Sequence, residues 1–193
     1  NLGYIGGSGE IEYLLELKNN FEIQKVTLPI LIVRNSFVIA SEKQKYKLAK
    51  LGLSFEELFL SEHELLNQKT KEFSNIKIDF SKQKETLRKQ FSELLKIAEQ
   101  TDKSFMGGVK AQEAKQIKGL ENLEKKLLKA EKRVHADKLE RILLLQNELF
   151  PNQSLQERKA NFSEFYIDYG SSFIEKLLIE LKPLESEFKV VVL

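Results

Sequence analysis

The chain has 193 residues, of which 41% are hydrophobic and 31% charged, so it can bury a core and keep much solvated surface. Its net charge of +2 is too small and too evenly mixed in sign to predict a nucleic-acid or membrane partner. The absence of cysteine excludes disulfides, thiolate ligands and a cysteine nucleophile. His63 and His135 lie far apart in charged, helical sequence, so no metal site is predicted.

The apolar runs and the start of the chain indicate its compartment and context. No apolar run approaches the length of a membrane span, and no signal peptide is recognisable. We therefore expect a soluble, cytoplasmic protein. The chain opens without Met on a strand that has nothing before it to pair with, whereas a parallel sheet needs neighbours on both sides. We expect a carboxyl-terminal piece of a longer protein, or a chain whose start was trimmed.

Two polar strand ends stand out near the start. Residues 3–10 are a short apolar segment that runs into a glycine-dense turn, and a helical pattern opens directly from it. A second strand is predicted over 28–33 and ends in Arg34, Asn35 and Ser36. Ligands of open α/β sheets bind beyond the carboxyl ends of strands, so these two strand ends together predict a binding crevice. The alternative is that the glycines only turn the chain and Arg34 only caps the sheet, since a single glycine-rich turn is a weak motif.

The first region, 1–75, mixes strands with short helices. A third extended run covers 36–40. Helices are predicted to begin at three further positions, Glu42, Phe55 and Glu62. Ser54 and Ser61 each precede a Glu by three residues, which is the capping-box pattern that satisfies the first free amides of a helix.

The second region, 76–150, carries the spacing of a coiled coil. The predicted seam of its first helix is Phe80, Lys84, Leu87, Phe91, Leu94, Ala98, Thr101 and Phe105. That of its second helix is Leu120, Leu123, Leu127, Ala130 and Val134, resuming in a shifted register at Leu139, Ile142, Leu145 and Leu149. We predict a long antiparallel hairpin joined near 106–108, where Gly107 and Gly108 interrupt the pattern. An isolated hairpin leaves one apolar side under-covered and so favours a homodimer, unless the seam is used up inside the hairpin.

The third region, 151–193, is predicted to return and pack on the core. Pro151 stops the long helix, because proline lacks the amide and disfavours helical geometry before it. A capping box at 154–157 restarts a helix, and two further helices begin at Asn161 and Ser172 with Gly170 as the C-cap between them. Residues 188–193 are predicted as a strand. The expected fold is α/β: a core, a helical hairpin, and returning helices with a terminal strand.

The candidate crevice combines a carboxylate with a guanidinium. Glu10, in the first helical turn, could bind an ammonium group or act as a general base, or it could only compensate the helix dipole. Arg34 has the planar fork that grips carboxylate or phosphate, and otherwise would pair with a nearby acid at the sheet edge. Asn35 could orient a ligand hydroxyl or make the turn between strands. For Arg158 a structural ion pair is the better interpretation than a reach toward the crevice.

Three segments occur in an order that resembles a known family. Residues 4–10 read YIGGSGE, residues 29–36 read PILIVRNS, and residues 149–158 contain LFPN followed by LQER. In this order, around a coiled coil, they resemble the carboxyl-terminal portion of the bacillithiol biosynthesis cysteine-adding enzymes, the BshC cysteine ligase family. The similarity extends over essentially the whole chain.

The resemblance implies a Rossmann-like core with a coiled-coil extension that pairs two subunits. It implies the last step of bacillithiol synthesis, in which cysteine is joined to glucosaminyl-malate by an amide bond. Cysteine and glucosaminyl-malate would then be the small-molecule partners. The residues implied at the crevice are Gly6, Gly7, Ser8 and Gly9 with the catalytic Glu10, and Arg34 and Asn35 nearby. At Ser8 the family commonly has proline.

The resemblance leaves some matters open. The family's amino-terminal half is absent, so we expect this chain to be inactive alone. No Walker-type loop identifies the energy source, and a nucleotide such as ATP is one candidate cofactor. The main alternative function is a non-catalytic coiled-coil dimerisation or scaffold module. An RNA-binding stalk is disfavoured by the near-neutral charge.

Overall fold

The structure, a computed structural model, describes residues 2–101, 103–185 and 187–193. Its strands are β1 (Gly3–Gly6), β2 (Ile30–Val33), β3 (Phe37–Ala40) and β4 (Lys189–Val192). Its helices are α1 (Ser8–Glu16), α2 (Lys18–Ile23), α3 (Glu42–Leu51), α4 (Glu62–Phe73), α5 (Ser81–Ala98), α6 (Lys103–Val134), α7 (Ala136–Leu149), α8 (Phe162–Tyr169) and α9 (Ser171–Glu180). Short 3-10 turns cover Glu56–Phe59, Pro151–Gln153 and Gln156–Arg158.

The strands pair in parallel. β1 lies beside β2 with Gly6 opposite Val33, and β3 lies beside β4 with Phe37 opposite Lys189. The predicted terminal strand is confirmed, since β4 returns from the end of the chain to extend β3. The expected α/β class is confirmed as well, in a mostly helical chain with small parallel sheets.

The chain divides into two compact units. The strand unit comprises Asn1–Phe59 and Leu144–Leu193, and the helical unit comprises Leu60–Leu143. The division into three domains, 1–75, 76–150 and 151–193, stays a prediction from the sequence. Buried apolar side chains of the strand unit include Val38, Leu48, Leu58, Leu149, Phe173 and Val191. Within the part of the chain that the structure describes, no helix is long and apolar enough to cross a membrane.

The helical unit is built on the antiparallel pair α5 and α6, with α4 packed on α6. Phe91, Ala98 and Val109 form a buried cluster that joins the end of α5 to the start of α6. Near the other end of the pair, the Lys84 Nζ lies 2.8 Å from the Glu124 Oε2. These contacts confirm the predicted antiparallel hairpin.

The predicted connection of the hairpin at 106–108 is wrong. Helix α5 ends at Ala98 and α6 begins at Lys103, so Gly107 and Gly108 lie inside α6. Both glycines have ordinary helical backbone rather than positive φ. A glycine inside a helix costs about 1 kcal/mol relative to alanine, which the packing of so long a helix outweighs. The chain reverses earlier, where the Thr101 hydroxyl donates to the Ala98 carbonyl at 2.7 Å.

The predicted seam is only partly correct. Leu94 is 46% exposed, and the buried face instead passes through Leu95, which packs on the Phe91 cluster. In the second run, Leu123 and Val134 are exposed. The resumed run is confirmed, since Leu139, Ile142, Leu145 and Leu149 are all buried. The change of register coincides with the break between α6 and α7.

Most of the predicted helix ends are confirmed. The Ser61 hydroxyl accepts from the Glu64 amide, and α4 begins at Glu62 as predicted. The Ser54 capping box also forms, but it starts only the 3-10 turn Glu56–Phe59. Asn161 caps α8, and Gly170 ends it with φ of 59°. Helix α9 begins at Ser171, one residue before the prediction.

Candidate functional site

The glycine-dense turn places a carboxylate at the start of α1. β1 ends at Gly6, Gly7 is the N-cap, and α1 begins at Ser8. The Gly7 amide donates to the Glu10 Oε2 at 2.9 Å. The carboxylate therefore satisfies a free amide and compensates the helix dipole, while remaining exposed to solvent.

The glycines of this turn differ in what the fold requires. A Cβ on Gly6 would lie 2.6 Å from the Tyr4 ring and 2.8 Å from the Glu10 carboxylate, so these side chains could not keep their present positions. A Cβ on Gly7 would make an ordinary contact with the Arg34 guanidinium, 3.7 Å from its Nε. Around Gly9 no described heavy atom would lie within 4 Å of a Cβ. The fold therefore explains Gly6 but leaves the space beside Gly9 open.

Arg34 joins the two strand ends. Its backbone amide donates to the Gly6 carbonyl at 2.8 Å, which continues the pairing of β2 with β1. Its guanidinium extends over Gly7, and its side chain is 55% exposed. The structure thus brings the predicted residues Gly6, Gly7, Glu10 and Arg34 together at the carboxyl ends of adjacent parallel strands, where ligands of open sheets bind. Ser8 and Gly9 lie beside them on the exposed first turn of α1.

Asn35 is engaged by the returning end of the chain. Its Nδ2 donates to the Lys182 carbonyl at 3.0 Å and to the Glu185 carbonyl at 3.1 Å. An amide has two donor hydrogens, so both are used in this contact. Asn35 consequently ties the segment that precedes β4 to the strand end that carries Arg34.

The charged groups on that returning segment neutralise one another. The Lys189 Nζ lies 2.9 Å from a carboxylate oxygen of both Glu185 and Glu187. Hydrogen bonds from Lys189 and Lys182 lower the pKa of Glu185, and the two carboxylates raise the pKa of Lys189. The charges of this network are therefore balanced within the fold. The guanidinium of Arg34, in contrast, is half exposed.

Glu157 is a site residue that the sequence interpretation missed. The predicted helix at 154–157 is only the 3-10 turn Gln156–Arg158, and its N-cap Leu155 makes no side-chain cap. The carboxylate of Glu157 instead accepts from Arg34 Nη2 at 3.5 Å, Ser36 Oγ at 3.4 Å and the Phe37 amide at 3.4 Å. The charged residue of this turn that meets the crevice is thus Glu157, which the sequence interpretation did not consider as a site residue.

An apolar cavity of about 320 Å³ lies behind this turn, within the strand unit. Its walls include Phe37, Phe162, Phe165, Phe173, Ile174 and Leu177. Gln156 and Glu157 also line this cavity, but their side chains already accept from the backbone amides of Ile39 and Phe37, so the mostly apolar walls do not suit a charged ligand. The strand ends around Glu10 and Arg34 are therefore the better candidate for a polar substrate. Among the residues described, no group of three or more histidines and carboxylates is placed to hold a metal ion.

Comparisons with protein families and with known proteins agree on one family. Residues 37–193 match the family described as "Bacillithiol biosynthesis BshC, C-terminal coiled-coil domain", and residues 1–35 match its "N-terminal Rossmann-like domain". Relatives named "Putative cysteine ligase BshC" are 58% identical in Flavobacterium psychrophilum and in Christiangramia forsetii, over 99% and 98% of this chain. A relative of the same name in Geobacillus kaustophilus is 26% identical over 98% of the chain.

The matched region is a limited part of those relatives. The chain spans 36% of the length of the Flavobacterium psychrophilum protein and 35% of the Christiangramia forsetii protein. The family matches together cover both the strand ends of the crevice and the helical hairpin. The chain therefore belongs to the BshC family of bacillithiol biosynthesis, whose coiled-coil domain it carries together with a segment of the Rossmann-like domain.

Proposed function

We propose that this chain forms the carboxyl-terminal part of a cysteine ligase that joins cysteine to glucosaminyl-malate. The observation that carries the proposal is the meeting of Glu10 and Arg34 at Gly7, on adjacent strand ends. The acceptor is an amine and both substrates carry carboxylates. A crevice that offers one carboxylate and one guanidinium matches those charges.

Each residue has a distinct role in the proposed reaction. Glu10 binds the glucosamine ammonium group and accepts its proton, because only the neutral amine can attack a carboxyl carbon. Arg34 holds a substrate carboxylate through paired N–H donors. The Ser8 and Gly9 backbone of the first helical turn lines the same crevice. The carboxyl group that is attacked must be activated, and a nucleotide such as ATP is the candidate cofactor for that step.

The test is metabolic and uses the whole gene. A deletion strain should lose bacillithiol and accumulate glucosaminyl-malate, both measured by mass spectrometry. The intact gene should restore bacillithiol, whereas Glu10→Gln and Arg34→Ala should not. Glu10→Gln retains an oxygen that can accept from the Gly7 amide, so its effect reports the charge rather than the cap. Normal bacillithiol with Glu10→Gln would overturn the role of Glu10.

A matched control is available on the same helix. Glu12 is an exposed carboxylate on α1, and Glu12→Gln should restore bacillithiol as the wild-type gene does. The present chain expressed alone should leave the precursor unconjugated, because about two thirds of the relatives' length lies outside it. Restoration by the chain alone would contradict the expectation that the fragment is inactive.

Homodimerisation through the coiled coil is the second part of the proposal. Apolar side chains remain exposed on the hairpin of the helical unit, among them Leu94, Ile97, Phe105 and Leu123. Exposed apolar surface on paired helices favours association with a further helix pair. Sedimentation equilibrium of the full-length protein should give a dimer, and Leu94→Asp together with Leu123→Asp should give a monomer.

The scaffold alternative makes the opposite pattern of predictions. If dimerisation is the whole function, bacillithiol should persist when Glu10 or Arg34 is replaced. Bacillithiol should be lost when the exposed hairpin leucines Leu94 and Leu123 are replaced by aspartate. The same complementation strain therefore separates the two functions.

A further inference from the structure

Glu157 contacts three polar groups between the end of β2 and the start of β3. Its carboxylate accepts from Arg34 Nη2 at 3.5 Å, from Ser36 Oγ at 3.4 Å and from the Phe37 amide at 3.4 Å. Its side chain is only 14% exposed, whereas that of Arg34 is 55% exposed. A carboxylate so little exposed requires this compensation, and it places a negative charge beside a half-exposed guanidinium.

The turn that carries Glu157 is itself fixed to the sheet. Gln156, the preceding residue, makes two hydrogen bonds to the backbone of Ile39 in β3, at 2.8 and 3.0 Å. The amide of Ala160 closes the turn by donating to the Gln156 carbonyl at 2.8 Å. The turn that carries Glu157 is therefore held by the Gln156 side chain on β3 and by the Ala160 amide.

Arg34 needs such a constraint to bind a ligand well. A free arginine side chain loses about 2 kcal/mol of rotamer entropy when it is immobilised. The ion pair with Glu157 removes part of that cost before a ligand arrives. A guanidinium has five donor hydrogens, so the Nη2 contact leaves others for a carboxylate.

We infer that Glu157 is a positioning residue for Arg34: it holds the guanidinium at the strand end, ready to receive a substrate carboxylate. The inference rests on the proposed function, because it assigns Arg34 to the substrate. The same carboxylate also fixes Ser36 and Phe37, so it sets the path of the backbone that follows Arg34. The substrate class is a carboxylate-bearing small molecule, either the malyl glycoside or the amino acid.

The experiment measures binding to the full-length protein. Dissociation constants for glucosaminyl-malate and for cysteine are determined by calorimetry with the wild type, Glu157→Ala, Arg34→Ala and the double variant. Glu157→Ala should weaken the binding of one probe by roughly tenfold, the loss of about one charge-assisted hydrogen bond. In the Arg34→Ala background the same substitution should change that constant by less than about twofold, because the two residues act through one contact.

Further variants separate positioning from folding. Glu157→Gln keeps an acceptor oxygen and should bind with an intermediate constant, and it carries the test if Glu157→Ala does not fold. Arg158→Gln alters an exposed charge on the same turn and should bind as the wild type does. Thermal unfolding of each variant establishes that it is folded.

The outcomes are distinct. The positioning role would be overturned if Glu157→Ala weakened substrate binding equally with and without Arg34. It would also be overturned if Glu157→Ala bound both probes as tightly as the wild type. If Arg34→Ala binds both probes as tightly as the wild type, the proposed function of Arg34 fails instead. Weakening by Arg34→Ala alone would leave the proposed function standing and the role of Glu157 rejected.

Discussion

The side chain of Gln156 pairs with both backbone polar groups of Ile39. The Ile39 amide donates to Gln156 Oε1 at 2.8 Å, and Gln156 Nε2 donates to the Ile39 carbonyl at 3.0 Å. β4 lies on the opposite edge of β3, where the Lys189 amide donates to the Ser36 carbonyl and the Leu193 amide donates to the Ala40 carbonyl. Gln156 therefore takes the place of a neighbouring strand on the edge that β4 leaves open.

Replacing Gln156 by leucine should destabilise the strand unit. Both residues of the contact are 6% exposed, so the Ile39 amide and carbonyl would be left buried without partners. Each such group costs about 1–3 kcal/mol, and we expect Gln156→Leu to lower the free energy of unfolding by about 2–4 kcal/mol. Urea denaturation measures the change.

The control for this substitution is an exposed glutamine of the same unit. Gln24→Leu, at the end of α2, should change the free energy of unfolding by less than about 0.5 kcal/mol. A loss of similar size in both variants would mean that the leucine side chain, rather than the missing hydrogen bonds, is responsible.

The sequence allowed the elements near the crevice to be predicted because their signals are local. A glycine-dense turn, a short apolar strand and a polar strand end each specify backbone geometry within a few residues. The parallel pairing of β1 with β2 then brings Gly6 and Arg34 together. The role of Glu157 was not predictable in this way, since its partners lie about 120 residues earlier in the chain. Its local sequence fits a capping box equally well.

The two glycines Gly6 and Gly9 should respond differently to alanine. At Gly6 a Cβ would meet the Tyr4 ring at 2.6 Å and the Glu10 carboxylate at 2.8 Å, so one of them must move. We expect Gly6→Ala to cost about 1–3 kcal/mol and to release the Gly7 amide from Glu10. At Gly9 the space is open, and Gly9→Ala should leave α1 unchanged or stabilise it by up to about 1 kcal/mol.

Hydrogen–deuterium exchange of the α1 peptide distinguishes these cases. Faster exchange at the start of α1 in Gly6→Ala, with none in Gly9→Ala, is the expected result. Equal protection in all three proteins would show that the Glu10 carboxylate does not depend on Gly6. Since the fold does not need glycine at position 9, a loss of ligand binding in a stable Gly9→Ala protein would indicate close approach of the ligand.

The hairpin shows where periodicity alone fails to assign a buried face. A heptad pattern places Leu94 on the seam, yet Leu94 is exposed and Leu95 packs on the Phe91 cluster. Both leucines occupy neighbouring positions on the helix, so the choice depends on the partner helix rather than on spacing. Helix α6 begins earlier than predicted, which brings Val109 into that cluster and Met106 against it.

Truncating these two leucines tests the corrected seam. Leu95 is half-buried, and Leu95→Ala should lower the free energy of unfolding by about 1–2 kcal/mol. Leu94→Ala should change it by less than about 0.5 kcal/mol in dilute protein, where any dimer dissociates. Thermal unfolding at two protein concentrations measures both effects. A larger loss for Leu94→Ala in dilute protein would restore the seam predicted from the heptads.

Acid should destabilise the helical unit through Asp79. This carboxylate accepts from the hydroxyl and the amide of Ser81 at the start of α5. Those hydrogen bonds, with a smaller contribution from Lys77, hold the pKa of Asp79 far below its ordinary value of 3.8. A group whose pKa is lowered on folding stabilises the protein fully above its unfolded pKa. That stabilisation is lost as the pH falls below about 3.8 and through the folded pKa.

The urea midpoint of the full-length protein, followed by helical circular dichroism, should therefore fall between about pH 5 and about pH 2. Asp79→Asn cannot titrate, and its midpoint should fall less over the same interval. Glu64 contributes in the same direction, because the Ser61 hydroxyl lowers its pKa. Glu140→Gln removes an exposed carboxylate of the same unit and should leave the wild-type pH profile intact. An identical profile for Asp79→Asn and the wild type would show that the capped carboxylate does not couple folding to protonation, since the deprotonated form would then gain nothing from Ser81.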